Sequence, residues 1–225
     1  MKPRIAIFRH DPIASQDCVD GMIEALSGEF AITLFDEGQL ANDPLRDTDI
    51  VAFPGGAGNA YYRFFDCFKR RETNEIADFV ARGGKYLGIC MGAYWTGSRY
   101  FDLLDGVNPE QYIKRESADI KRSYGTVASV TWNNQHEDMY FYDGCALIGD
   151  ETKFKTIARY KNGDPMAIIQ GRIGLIGCHP EAPEYWYKKQ WQYIHKYWNG
   201  GKHHNLLLNF VNELTENYEQ TRQEF

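Results

Sequence analysis

The sequence predicts an α/β fold: an open, mostly parallel sheet with flanking helices and an antiparallel extension in its second half. Three observations carry this expectation. In the first half, short apolar runs alternate with stretches whose apolar residues recur at helical spacing. In the second half, apolar runs follow one another with little helix between them. Most of these runs are bounded by Gly, Pro, Asn or Asp, the residues that end strands and start turns.

Taken in order, Arg4 to Phe8 is a short β-rich run, and Ser15 to Leu26 forms a helix with Val19, Met22, Ile23 and Leu26 on one face. Ala31 to Phe35 and Asp49 to Phe53 are the next strands. A second helix covers Asn74 to Arg82 and stops at Gly83-Gly84, before the strand Lys85 to Ile89. Strands joined through helices imply right-handed crossovers and parallel pairing. Beyond them, Thr126 to Trp132, Phe154 to Tyr160, Met166 to Gln170 and Ile173 to Ile176 read as strands. Asn162-Gly163-Asp164 and Gly171-Arg172 serve as hairpin turns. The polar segment from Asp105 to Tyr124 reads as a long irregular loop over a site. Helix returns from Glu184 to Trp198 and from His203 to Tyr218, with Gly200-Gly201 between them. Neither a repeat nor a linker interrupts the chain. The expected organisation is one domain over 1–225, with 184–225 as a helical extension packed on it.

Composition excludes several classes. Of 225 residues, 43% are apolar, which is too many for an extended disordered chain. No apolar run reaches the roughly 18 residues needed to span a bilayer, and the first ten residues are too short in apolar content for a secretory signal. The net charge of −6 argues against a uniformly basic nucleic-acid surface. Cys18, Cys67, Cys90, Cys145 and Cys178 are odd in number and form no CxxC pair, so neither a disulfide framework nor a cysteine-rich zinc site is expected. A reducing cytoplasm is the expected compartment, with no cofactor and no membrane partner.

The sharpest local signal is Gly88-Ile89-Cys90-Met91-Gly92, which follows an apolar strand and precedes Ala93-Tyr94-Trp95. A nucleophile on a tight strand-to-helix turn needs small neighbours on both sides, and unpaired N–H groups at a helix start favour an anion. A thiol nucleophile also needs a base with an orienting group. His179-Pro180-Glu181 supplies both, because residues i and i+2 of an extended segment share a side. A metal reading of Cys178, His179 and Glu181 lacks a second ligand pair at zinc-like spacing. The loop Phe53-Pro54-Gly55-Gly56-Ala57-Gly58-Asn59 follows the third strand, and its backbone N–H groups suit an oxyanion. The Met91 N–H is the second donor.

As a set, PGGAGNAYY (54–62), GGKYLGICMGAYWTGS (83–98), FYDG (141–144) and GCHPEAP (177–183) resemble the class I glutamine amidotransferase-like superfamily. Within it, the nearer match is the biotin–protein ligase N-terminal domain family. The resemblance implies Cys90 as nucleophile, His179 as general base and Glu181 as its orienting group. Gly55, Gly56 and Met91 would form the oxyanion hole, with Tyr94 and Asn59 facing the substrate. One departure is specific: relatives that hydrolyse free glutamine place Gln where this chain has Tyr94. Three readings follow. One is a cysteine hydrolase or amidotransferase acting on a small-molecule amide, with ammonia released or passed to a synthetase or ligase partner. Another is a hydrolase of γ-glutamyl or peptide-like amides. The third is a binding or regulatory module that has lost turnover.

Between Tyr185 and Trp198, Tyr187, Trp191, Ile194 and Trp198 recur at helical spacing, with Lys188, Lys189 and Lys196 interleaved. A core helix with lysines reaching outward is the expected reading in an acidic chain. A partner or homodimer face is the intermediate reading, and a nucleic-acid surface the weakest.

Overall fold

A computed structural model describes residues 2–10, 15–56, 58–68, 70–189 and 192–223, without the side chains of 41, 42, 70–72, 189, 192 and 217–223. The first half runs β1 (Arg4–Phe8), α1 (Gln16–Leu26), β2 (Ala31–Phe35), β3 (Ile50–Phe53), α2 (Ala60–Cys67), α3 (Arg70–Ala81), β4 (Lys85–Ile89) and the single turn α4 (Met91–Tyr94). The second half runs β5 (Val107–Gln111), β6 (Thr126–Trp132), β7 (Gln135–Phe141), β8 (Cys145–Gly149), β9 (Lys155–Tyr160), β10 (Pro165–Gln170), β11 (Ile173–Ile176), α5 (Glu184–Lys189) and α6 (Lys202–Gln223).

The main sheet has nine strands in the order β2-β1-β3-β4-β11-β10-β9-β6-β7. The pairs β2-β1, β1-β3, β3-β4 and β4-β11 are parallel. From β11 onward every pairing is antiparallel. This is the α/β sheet with an antiparallel extension that the patterning predicts. β3 and β11 are buried along their whole length, which is why they read as unbroken apolar runs rather than alternating ones. β6 alternates buried and accessible residues because one of its faces is open.

Several elements differ from the expectations. α3 begins four residues before Asn74, and α2 lies where the glycine-rich loop obscured it. β7 escaped notice because its first half, Gln135 to Asp138, is polar. Its hairpin turn is Asn133-Asn134, both at positive φ (45° and 65°), as a type I′ turn requires. The 105–124 segment is irregular only from Arg115 onward. It contributes β5, paired with β8, and then a turn that buries Tyr112. Tyr112 stacks on Tyr160 at 3.8 Å, and Arg115 pairs with Asp164 and Glu110. The C-terminal aromatic stretch is short helix and 3-10 turns rather than one helix. Tyr187 and Ile194 are buried as a core stripe requires, while Trp191 and the Lys189 side chain lie outside the described residues. Among the described residues, no helix is long and apolar enough to cross a membrane.

Parallel pairing puts the carboxyl ends of β3, β4 and β11 side by side on one sheet edge. Behind that edge lies an aromatic core of Phe8, Phe53, Tyr86, Trp95 and Phe101, with ring centroids about 5 to 6 Å apart. Such pairs each add about 0.5–1.5 kcal/mol beyond area burial. They give the loops above a rigid floor. Ligand sites in open parallel sheets form at this edge, beside the point where strand order reverses. Here that point is β1.

Candidate functional site

The three loops leaving β3, β4 and β11 meet there. Cys90 stands between β4 and α4 with φ 50° and ψ −103°, a strained conformation for a residue with a Cβ. Its own N–H still bonds the Ile176 carbonyl at 2.8 Å, so the sheet ladder runs up to the turn itself. A Cβ at Gly88 would meet the Gly92 carbonyl oxygen at 2.6 Å, and one at Gly92 would meet the Phe53 carbonyl oxygen at 2.1 Å. The small flanking residues are therefore required by backbone packing. The following helix is only one turn, so the local N–H groups matter here more than a helix-long dipole.

His179 follows β11 and is tethered by its N–H to the Tyr140 carbonyl of β7 at 2.9 Å. Its Nδ1 lies 2.8 Å from Glu181 Oε1, with both side chains buried. The two meet through a turn, closed by the Ala182 N–H on the His179 carbonyl, rather than through extended backbone. Burial works against charge on this imidazole. The charges of Cys90 and Glu181, with hydrogen bonds to Cys18 and Cys90, outweigh it and hold His179 well above the usual histidine range. The Tyr140 and Trp186 rings stand edge-on to the imidazole and restrict its rotation.

Cys90 and His179 open onto a cavity of about 690 Å³, also lined by Gly56, Asn59, Met91, Tyr94 and Gln111. Gly55 lies behind that wall instead, where a Cβ would strike His179 Cε1 at 2.7 Å and Cys18 Sγ at 2.9 Å. The Asn59 side-chain oxygen accepts from the N–H groups of Tyr61 and Tyr62, so it caps α2 at the cavity edge. Tyr94 donates its hydroxyl to the Asp143 carbonyl at 3.2 Å, and burial raises its pKa well above the phenol range.

Sequence reasoning missed the rest of the wall. Tyr61, Tyr100, Tyr140, Tyr142 and Trp186 make it largely aromatic, and Asp143 accepts from Gln111 Nε2 at 2.6 Å. Tyr61 carried a signal as part of PGGAGNAYY, Tyr142 and Asp143 as part of FYDG, and Trp186 only as part of the aromatic stretch 185–198. Cys18 of α1 carried none, yet its Sγ is 3.9 Å from His179 Nδ1. Among the described residues, Cys18, His179 and Glu181 are the group whose donor atoms lie close enough together to hold a metal. The cysteine of that group is not Cys178, whose thiol hydrogen-bonds Tyr160.

Comparisons with known proteins agree with the resemblance. Residues 11–110 match the family described as biotin–protein ligase, N terminal. A biotin–protein ligase from Schizosaccharomyces pombe is 28% identical over 185 residues, which are 68% of this chain but 28% of the ligase. The chain thus spans less than a third of that relative. The structure of PurLQS from Thermotoga maritima superposes with a TM-score of 0.62 at 16% identity, over 95% of this chain and 100% of that one. A glutamine amidotransferase from Thermotoga maritima gives 0.63 at 13% identity, over 97% and 98%. At these identities the likeness is one of fold, and the fold is glutamine amidotransferase-like.

Proposed function

We propose that this chain, which has the class I glutamine amidotransferase-like fold and matches the biotin–protein ligase N-terminal family over residues 11–110, is a cysteine-nucleophile amide hydrolase or amidotransferase. The carrying observation is that a strained Cys90 and the buried His179–Glu181 pair open onto the same cavity. In this reading His179 takes the Cys90 thiol proton as Sγ attacks a carboxamide carbonyl and forms a C–S bond, and the oxyanion is received by the backbone N–H groups of Gly56 and Met91, which line the cavity as Gly55 does not. His179 passes a proton to the leaving nitrogen, which departs as ammonia or an amine. It then accepts a proton from the water that cleaves the thioester to a carboxylate. Glu181 fixes the imidazole's orientation and stabilises its charged form.

The cavity favours an amide larger than free glutamine. About 690 Å³ with aromatic walls is in the range that encloses a drug-sized ligand. The Tyr94 hydroxyl, already committed to Asp143, is no substitute for the paired donor and acceptor of a glutamine side chain. A γ-glutamyl or peptide-like amide fits these features. Transfer of ammonia to a synthetase or ligase partner is the variant that the similarity to a biotin–protein ligase and to PurLQS supports.

Intact-mass spectrometry tests the reading. The purified chain, given a panel of amides and an electrophilic glutamine analogue, is expected to gain one acyl or alkyl adduct on Cys90, absent in Cys90→Ser. An adduct on another cysteine, or none with any probe, overturns it. The latter result would leave a binding module of the same fold.

A further inference from the structure

The helix α1 runs directly beneath the His179–Glu181 pair. A Cβ at Gly21 would lie 2.0 Å from the Glu181 carbonyl oxygen, so the helix backbone touches the Glu181 peptide. Cys18 stands three residues earlier on the same face of that helix. Its side chain is 1% exposed, with Sγ 3.9 Å from His179 Nδ1. Gly55 closes the other side, leaving room for the sulfur and the imidazole but not for a methyl group.

Glu181 is fully buried, and only one of its two oxygens is accounted for. Oε1 meets the imidazole, while Oε2 has no hydrogen-bond partner among the described residues. A buried carboxylate normally satisfies both oxygens, since an unpaired one costs about 1–3 kcal/mol or more. The sulfur of Cys18 and a Glu181 carboxylate oxygen lie within 4.8 Å of each other.

We propose that Cys18 is a positioning residue, whose S–H donates to the Glu181 carboxylate and holds the His179–Glu181 pair in register with Cys90. This rests on the triad reading above and adds a fourth member to it. Burial, then the negative charge of Glu181, push the Cys18 thiol up to about 12. It therefore stays an S–H donor at neutral pH and does not compete with Cys90 as a nucleophile.

The test is the rate of Cys90 carbamidomethylation by iodoacetamide in the full chain at pH 7.5, followed by peptide mass spectrometry. Thermal unfolding of each variant is measured alongside. Cys18→Ala is expected to slow Cys90 labelling on the order of tenfold, the scale set by one lost hydrogen bond to a charged group. Cys18→Ser, which keeps a donor of similar size, is expected to restore it to within about threefold. A second readout, the downfield N–H proton resonance of His179, is expected to move in Cys18→Ala and to stay near its wild-type position in Cys18→Ser. Labelling of Cys18→Ala at the wild-type rate, or of Cys18→Ser as slowly as Cys18→Ala, overturns the positioning role while leaving the triad standing. Failure of wild-type Cys90 to label ahead of the other cysteines removes the triad and the positioning role together.

Discussion

The Phe53 carbonyl oxygen sits so close to Gly92 that a Cβ there would approach it to 2.1 Å. This contact fastens the turn after Cys90 to the end of β3 and leaves the thiol facing the cavity. Gly92→Ala must push two backbone segments apart, so it is expected to lose about 1–3 kcal/mol or more. Gly28→Ala, where nothing lies within 4 Å of the added carbon, serves as the control. For a chain of this size the loss lowers the unfolding temperature by several degrees, on the order of 2–4 °C per kcal/mol. Equal melting temperatures for the two variants would mean that the turn is looser than described.

Cys90 is expected to be the first cysteine modified in the native protein. Burial pushes Cys18, Cys67 and Cys178 up to about 12 and Cys145 well above the usual thiol range, so their thiols stay protonated near neutral pH. Cys90 alone of the five combines the cavity wall with a slight exposure of 7% and a neighbouring imidazole. Limited iodoacetamide treatment followed by peptide mapping checks this. Earlier labelling of Cys67 or Cys145 would contradict it.

Stability is expected to fall with acid through His203. Burial lowers this side chain to about 4, against the nearby charge of Glu137, which favours protonation. Its Nδ1 faces the Tyr187 hydroxyl, and its neighbour Lys202 pairs with Glu137. The unfolded chain takes up this proton near pH 6.5 and the folded chain only near 4. Stability is therefore intact above about 6.5, declines between those values and levels off below them. The two-and-a-half-unit gap corresponds to about 3 kcal/mol at most. Urea unfolding of wild type and His203→Gln from pH 4 to 7.5 checks it: the variant should show a shallower pH dependence. Parallel curves would assign the acid sensitivity to other groups.

Free glutamine is expected to be a poor substrate for the isolated chain. Tyr94 offers one donor, and that donor is spent on Asp143. An unpaired polar group in a closed site costs roughly 1–3 kcal/mol, or about ten- to a hundredfold in kcat/KM. Ammonia release from glutamine, measured beside a Cys90→Ser control, is the assay. Efficient release by the chain alone would favour a plain glutaminase over the larger amide.

What the sequence determined by itself was whatever neighbours along the chain decide. Apolar runs defined β1 to β4 and β11 almost to the residue: β1, β3, β4 and β11 because buried parallel strands leave a continuous apolar signature, and the largely exposed edge strand β2 because its residues AITLF favour a strand. Gly88-Ile89-Cys90-Met91-Gly92 and His179-Pro180-Glu181 were legible because the geometry they need is local, a tight turn and a two-residue reach. Tertiary structure alone decided the rest of the site. Cys18 and His179 are 161 residues apart, and the aromatic wall draws on helices, loops and a strand from Tyr61 to Trp186. Cys18, Tyr100 and Gln111 have no neighbour in sequence that marks them, and Gln111 lies in a segment whose polar character read as loop. A contact between distant segments depends on which strands pair and in what order, and the local pattern of apolar residues does not encode that order. The parallel pairing of β3, β4 and β11 is what turned three separate motifs into one cavity.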